Sequence, residues 1–561
     1  MNNHRSWPVD WKMVIKDAWR ILWDPRPPSR WLLALLLVVP ATIPYVAHYG
    51  WTDGFTPTGF IQGDQPGYMA VAREYFDNGF SLTYSNPFTS AYNSPALYFQ
   101  PQTFFIGLLW ALTHIDPGLL FAVFGFVAAL VCARVAIALF EFRSGVATAA
   151  ERLALIIFFW GGGVLVIAGL LTSPLHIFRY GGGMVYGSAF RWDPFEGWWF
   201  LNFGRSLVMP LEGYYHAIFL GTILALLRGR YRLATSLIVL LCASHPYSGS
   251  ELLAVAVVWG FVEAFVFSHD RRVRNFFFGC LAIAVIHVGY YLVFLTQFPE
   301  HRALVHQWSK AWFLDLRTAA LAYGPVALFA LGTLARRGSI GRGDNRLLLV
   351  WAVVAFLLAK HELFTSHPIE PLHFTRGYIW SALFLLGLPS LVSVVRRFLS
   401  WHTPSGVVCV AVMSVLLLTD NAVWFTAVGR GYLIEHVRLT AEQRGVFSVL
   451  SGRECIGATV VTLDRTVASL TPVYTPLRPW TTQLSYTNED LRHRQEVKNL
   501  LLEGRPLGEL RGARLALVLD RFPEDPGDSL SVRVLRVVGG EQRELAGNSR
   551  YRVVLVENAR M

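Results

Sequence analysis

The stretch at positions 60–80, FIQGDQPGYMAVAREYFDNGF, sets one acid, Asp64, in a turn directly after an apolar run. Gly63, Pro66 and Gly67 punctuate the turn. Tyr68, Val71, Ala72 and Tyr75 then recur at helical spacing, opposite Arg73, Glu74 and Asp77. The pattern predicts an amphipathic helix able to lie on a membrane surface. On residue type alone Asp64 reads first as a cap of that helix, since Asp before Pro is common in a first turn. The other reading is a carboxylate with a functional role.

Further ionisable residues stand at the ends of apolar runs. Glu212 and His216 lie four apart, His245 precedes Pro246, Glu251 follows shortly, and Arg376 lies in LHFTRGY. Ionisable side chains at membrane depth are costly and are functional suspects. Plainer readings stay open: a local i,i+4 pair for Glu212 and His216, a bound core histidine for His245, a snorkelling arginine for Arg376. Arg179 and Arg205 are weaker cation candidates. Asp193 and Glu196, in RWDPFEGWW, form either a second acidic group or solvated loop acids.

The elements that must position these residues follow from hydropathy. The chain has 561 residues, 53% hydrophobic and only 16% charged, too apolar for a soluble globular protein of this length. A crossing helix needs about 20 apolar residues. Candidate spans lie near 31–49, 117–140, 153–172, 207–227, 233–247, 250–268, 275–296, 313–335, 347–363, 377–395 and 405–428. The segment 101–115 is apolar but short, so it reads as re-entrant or interfacial. With the N-terminus in the cytoplasm, clusters such as Arg228, Arg230 and Arg232, or Arg336 and Arg337, fall on inner loops, while 51–100 holds one basic residue, Arg73. This asymmetry explains the net charge of +11 without nucleic acid. The N-terminal stretch does not read as a signal peptide.

The inner loops are too short to hold a nucleotide-binding domain, and neither GxxxxGK(S/T) nor GxGxxG occurs. Cys132, Cys242, Cys280 and Cys409 lie in apolar runs, and none of the five cysteines suggests a disulfide framework or a zinc site. The expected class is a polytopic α-helical membrane protein: a membrane part over 1–430 with about eleven helices, then a small outer α/β domain over 431–561. In that tail 458–463, 514–520, 531–538 and 551–558 read as strands, and 488–504 as a helix.

Gly63-Asp64-Gln65-Pro66-Gly67-Tyr68 resembles the G-D-E-P-x-Y stretch of GT-C membrane glycosyltransferases, of the protein O-mannosyltransferase and aminoarabinose-transferase type. ASHPYSGSELL (243–253) and PLEGYYHAIFLG (210–221) are similar to H-P-F/Y-S-G and P-x-x-x-x-x-H segments of bacterial relatives. The segment 471–501 looks like part of their outer tails. The resemblance implies a bacterial inner-membrane enzyme that takes a sugar from a polyprenyl-phosphate donor, with Asp64 activating an outer-face acceptor. Arg376 would hold the donor phosphate through paired hydrogen bonds, near His245, His216, Glu212 and Tyr68. Where many relatives have Glu, this chain has Gln65, which cannot act as a second carboxylate, so no metal or other cofactor is expected. Two rivals remain: a flippase for lipid-linked glycans, and a non-catalytic scaffold of the same fold.

Overall fold

A computed structural model describes residues 29–52, 54–89, 94–173, 184–299, 301–302, 312–401, 403–431, 437–481, 490–506, 508–521 and 529–560. Arg179, and part of the segment 471–501, lie outside them. Among the described residues, eight helices are long and apolar enough to cross a membrane: Arg30–Gly50, Pro117–Arg143, Pro210–Leu227, Pro246–Phe267, Arg271–Gln297, Leu316–Leu334, Pro371–Leu399 and Pro404–Gly429. The chain is thus a multi-pass membrane protein. The three remaining expected spans are helical but do not meet that standard. Ala149–Trp160 and Leu165–Thr172 meet at a 67° bend, a broken span or re-entrant loop. Tyr231–Ser244 has 14 residues and Gly343–Ala359 has 17. Pro101–Thr113, expected to be short, is a 13-residue helix.

Small residues bring the helices together. Pro117–Arg143 packs along Pro210–Leu227, and a Cβ on Gly125 would lie 2.6 Å from the Pro210 Cα. In a membrane such close backbone approach stands in for the hydrophobic drive available in water. The contact fixes the helix that carries Glu212 and His216.

Ion pairs define one end of the bundle. Arg143 pairs with Asp344, Arg396 Nη2 lies 2.7 Å from Glu151 Oε1, and Arg346 Nη2 lies 2.8 Å from Glu263 Oε2. These pairs join several of the expected inner loops, which therefore share one end. Asp64 lies towards the other end. Gly59 abuts Gly118, at the start of the helix that ends at Arg143.

The segment after the last long helix folds against the loop that carries Asp64. Arg438–Leu439 pairs antiparallel with Thr56–Pro57, and the Val437 N–H donates to Phe60 O at 3.1 Å. A five-stranded sheet follows, in the order Arg478–Pro479, Thr459–Thr462, Leu515–Asp520, Tyr551–Glu557 and Glu541–Gly547. The first three strands are parallel and the last two are antiparallel additions. The expected helix within 488–504 spans Asp490–Glu503.

Two expectations need correction here. The run 531–538 is not a strand but part of a helix, Ser529–Val538. Its valines favour a strand locally, yet Val534, Leu535 and Val538 form a helical stripe buried with Leu500 and Leu517, and that burial prevails. The Gln65–Asp77 helix is not free to lie on a membrane surface, because Met69, Ala70, Ala72 and Tyr75 are buried in the protein. It packs against Pro101–Thr113 and the tail helix Arg465–Tyr474.

Candidate active site

Asp64 holds the N-cap position of the Gln65–Asp77 helix but does not cap it. Its backbone is already helical, at φ −79° and ψ −21°, and its side chain makes no capping hydrogen bond. Effective caps adopt extended backbone angles. The Asp64 side chain is half-buried. Gln65, next to it, points into the core. It is fully buried, accepts from the Ile61 N–H at 2.8 Å and places Nε2 3.6 Å from Met209 Sδ. The missing second carboxylate is thus replaced by a structural amide.

The Pro210–Leu227 helix supplies Glu212 and His216. Glu212 forms an ion pair with Arg376, and its other oxygen lies 3.8 Å from His216 Nδ1. His216 is fully buried, its ring nitrogens 2.8 Å from Glu212 O and 2.7 Å from Arg376 O. Its ring stacks on Tyr378 at 4.5 Å. Ser206 Oγ also donates to Arg376 O, at 3.1 Å. The turn at Arg376 depends on Gly377, whose φ is +79°. A Cβ there would meet Phe203 Cα at 2.9 Å. Both facts favour glycine.

The Arg376 guanidinium lies over Trp199, 5.6 Å from the ring centre, and its buried Nε has no hydrogen-bond partner among the described residues. His245 caps the next helix: its Nδ1 accepts from the Ser248 N–H at 3.1 Å, and its ring stacks on Tyr215 at 4.4 Å. Of the predicted group, Arg376, Glu212 and His216 are in direct contact. His245 lies within electrostatic reach of Arg376 and His216.

Tyr68 lies within electrostatic reach of this group. Burial pushes its phenol up to about 12, and the charges of Arg376, Glu212, Asp64 and Glu370 all act on it. Tyr68 also lines a cavity of about 560 Å³, shared with Tyr84, Tyr247, Tyr290, His361 and Phe374. The cavity reaches the surface along Arg271–Gln297, where the lining residues Val288 and Leu292 are 49% and 56% exposed.

The weaker candidates serve the scaffold. Arg205 is 1% exposed, bonds Asp193 at 2.5 Å and Asn421 Oδ1 at 3.0 Å, and lies over Trp424. Asp193 is thereby a buried counter-charge and not a second acid at the site; Glu196 is exposed. Glu251 is fully buried, and neither carboxylate oxygen has a hydrogen-bond partner among the described residues. His493, Glu496 and Glu509 are close enough to share an ion, but both acids face Arg492.

Sequence reasoning missed Glu370. It is 7% exposed, sits at φ +42° and places Oε2 3.1 Å from His373 Nδ1. A non-glycine residue in that region is strained, and such strain gathers at functional sites. Tyr247, stacked on His373 at 4.4 Å, was missed as well. The available signal was the Glu-Pro step six residues before Arg376.

No protein-family model matches the chain, and no curated protein matches it in sequence. Solved structures do match. A mycobacterial arabinofuranosyltransferase, AftD, aligns over 94% of this chain and 42% of its own, with TM-score 0.50 and 15% identity. This chain thus spans less than half the AftD chain. The oligosaccharyltransferase of Archaeoglobus fulgidus aligns over 88% of this chain and 69% of its own, with TM-score 0.46 and 12% identity. ArnT of Cupriavidus metallidurans aligns over 93% and 97%, with TM-score 0.43 and 14% identity. Identity this low speaks to fold alone, and the fold this chain shares is that of the GT-C membrane glycosyltransferases.

Proposed function

We propose that this chain transfers a sugar from a polyprenyl-phosphate carrier to an acceptor at the periplasmic face of a bacterial inner membrane. The N-terminus is cytoplasmic, and residues 431–561 form a periplasmic α/β domain over the site. Asp64 takes the proton of the acceptor hydroxyl. The acceptor oxygen then bonds to the anomeric carbon as that carbon's bond to the phosphate oxygen breaks, with inversion. The electron pair leaves on the lipid phosphate, a good leaving group, so no general acid is needed.

Arg376 holds the phosphate. Glu212 orients the guanidinium, and the unpartnered Nε remains to donate. His216 positions Arg376 through its carbonyl, His245 fixes the neighbouring helix start, and Tyr68 separates the charges from the cavity. The observation that carries the reading is that Tyr68, which lines a cavity open beside an apolar helix, lies within reach of the charges of Asp64, Arg376, Glu212 and Glu370. A lipid-borne donor has an approach there that a soluble nucleotide sugar lacks.

The test is reconstitution in proteoliposomes with a radiolabelled polyprenyl-phosphate sugar and cell-envelope acceptor. Label on the acceptor with matching release of polyprenyl phosphate is expected. Movement of the intact donor across the bilayer, with no bond cleaved, would point to a transporter and contradict the reading.

A further inference from the structure

We infer that the cavity beside Tyr68 receives an uncharged saccharide ring. The inference deepens the transferase reading and rests on it. Among the described lining residues there is no Asp, Glu, Lys or Arg. Polar lining comes instead from neutral groups: six tyrosines, four histidines, Asn86, Gln100, Ser250 and Thr365. A uronic acid or aminosugar would lose hydration there and find no counter-charge among the described lining residues, which is expensive.

Three of the four imidazoles are already engaged with neutral partners. His361 bonds Leu358 O through Nδ1 at 2.5 Å and accepts from the Ile369 N–H through Nε2 at 2.9 Å. Those partners fix a neutral tautomer, because a proton on Nε2 would face another N–H. His301 Nδ1 lies 3.3 Å from the Tyr98 hydroxyl, and burial pushes His301 down from its ordinary value. His287 Nε2 lies 3.0 Å from Ser250 Oγ. His367 is exposed.

The aromatic walls suit the ring itself. A sugar has an apolar C–H face and a hydroxyl edge, and tyrosine offers an apolar face with a polar tip. A π-helical turn over Gly289–Phe294 brings the consecutive Tyr290 and Tyr291 to the cavity. Tyr290 is anchored by its hydroxyl on Leu97 O at 2.7 Å, and Tyr247 by its stack on His373. Held in place beforehand, these rings lose little freedom on binding. Asp64, Glu212, Arg376 and Glu370 are not among the lining residues but act on Tyr68, so the charged phosphate and the neutral ring have separate places.

The ring could belong to the donor or to a saccharide acceptor. The full-length chain in nanodiscs is titrated with five probes. Three are short polyprenyl phosphates bearing a neutral hexose, a hexuronic acid or an aminopentose. The others are the bare polyprenyl phosphate and a free neutral trisaccharide. The neutral-hexose donor is expected to bind at least ~10-fold tighter than either charged donor and than the bare carrier. Tyr247→Leu, which keeps apolar bulk, should erase that advantage. Should the trisaccharide bind and lose affinity in Tyr247→Leu while the donor's sugar adds nothing, the ring is the acceptor's. Charged donors binding as tightly as the neutral one would overturn the inference and leave the transferase reading intact. Failure of every polyprenyl phosphate to bind would overturn the transferase reading itself. An affinity that resides wholly in the bare carrier, with no trisaccharide binding, would also overturn the inference.

Discussion

Arg376 commits one guanidinium nitrogen to Glu212, rests on Trp199 and keeps a buried Nε unpartnered among the described residues. A lysine in its place keeps the charge but loses the planar fork. Arg376→Lys is therefore expected to weaken donor binding by ~10-fold or more, the loss of one charge-assisted hydrogen bond. The thermal midpoint should change little. Titration with a polyprenyl-phosphate sugar measures the first effect and thermal unfolding the second; unchanged affinity would remove Arg376 from the phosphate site. That Glu212, His216 and Arg376 lie together was legible in the sequence, because acids, histidines and arginines at the ends of apolar runs are few. Arg205 and Asp193 were misread, since a buried mutual pair looks the same in sequence as two separate loop charges. Glu370 was missed because its burial depends on the path of a loop.

At the scale of elements, the tail holds the helix that begins at Asp64. Arg478, on the edge strand of the sheet, reaches Glu74 Oε1 at 3.2 Å, Ser85 Oγ at 2.9 Å and Asn86 O at 2.8 Å. Glu74 is on the same helix as Asp64, and Tyr84, Asn86 and Phe88 line the cavity. Burial pushes the Glu74 carboxyl above its ordinary range even with Arg478 beside it, so the acid depends on that cation. Arg478→Ala is expected to cost about 3–5 kcal/mol, as for one partner removed from a buried pair. Faster amide exchange should be confined to 65–89, and exchange in the Pro117–Arg143 helix should not change. Uniform exchange changes would show that the contact fastens nothing in particular. This joint was invisible in the sequence, because its partners are some 400 positions apart. The three interior strands, Thr459–Thr462, Leu515–Asp520 and Tyr551–Glu557, were legible from their valines and leucines. The Ser529–Val538 helix was not, because its valines fit both periods and only packing decides between them.

Across the whole molecule, charge pattern and ion pairing agree on two ends, one where paired arginines join the short loops, the other carrying Asp64 and the sheet. The sheet has its own acid strained by burial. Asp520 is pushed up to about 6, first by burial and then by Asp464. A raised carboxyl favours the folded state when protonated, so stability at this site is present at low pH and lost as pH rises through about 6. Asp520→Asn should therefore stabilise the strand Leu515–Asp520 at pH 8 by on the order of 1 kcal/mol after solvent screening. The gain should shrink as pH falls, and amide exchange of wild type and variant compared at each pH would show it. A gain that did not vary with pH would contradict the assignment. The span count was the least legible feature at this scale, because a bent helix pair and two short helices carry the same apolar composition as full crossings. The central claim is that Asp64 acts in chemistry and not in folding or donor binding. Single-turnover transfer by reconstituted Asp64→Asn, loaded with donor to the same occupancy as wild type, tests it most directly. Transfer at least ~100-fold slower with unchanged donor affinity is expected for loss of a general base; transfer at the wild-type rate would contradict the account.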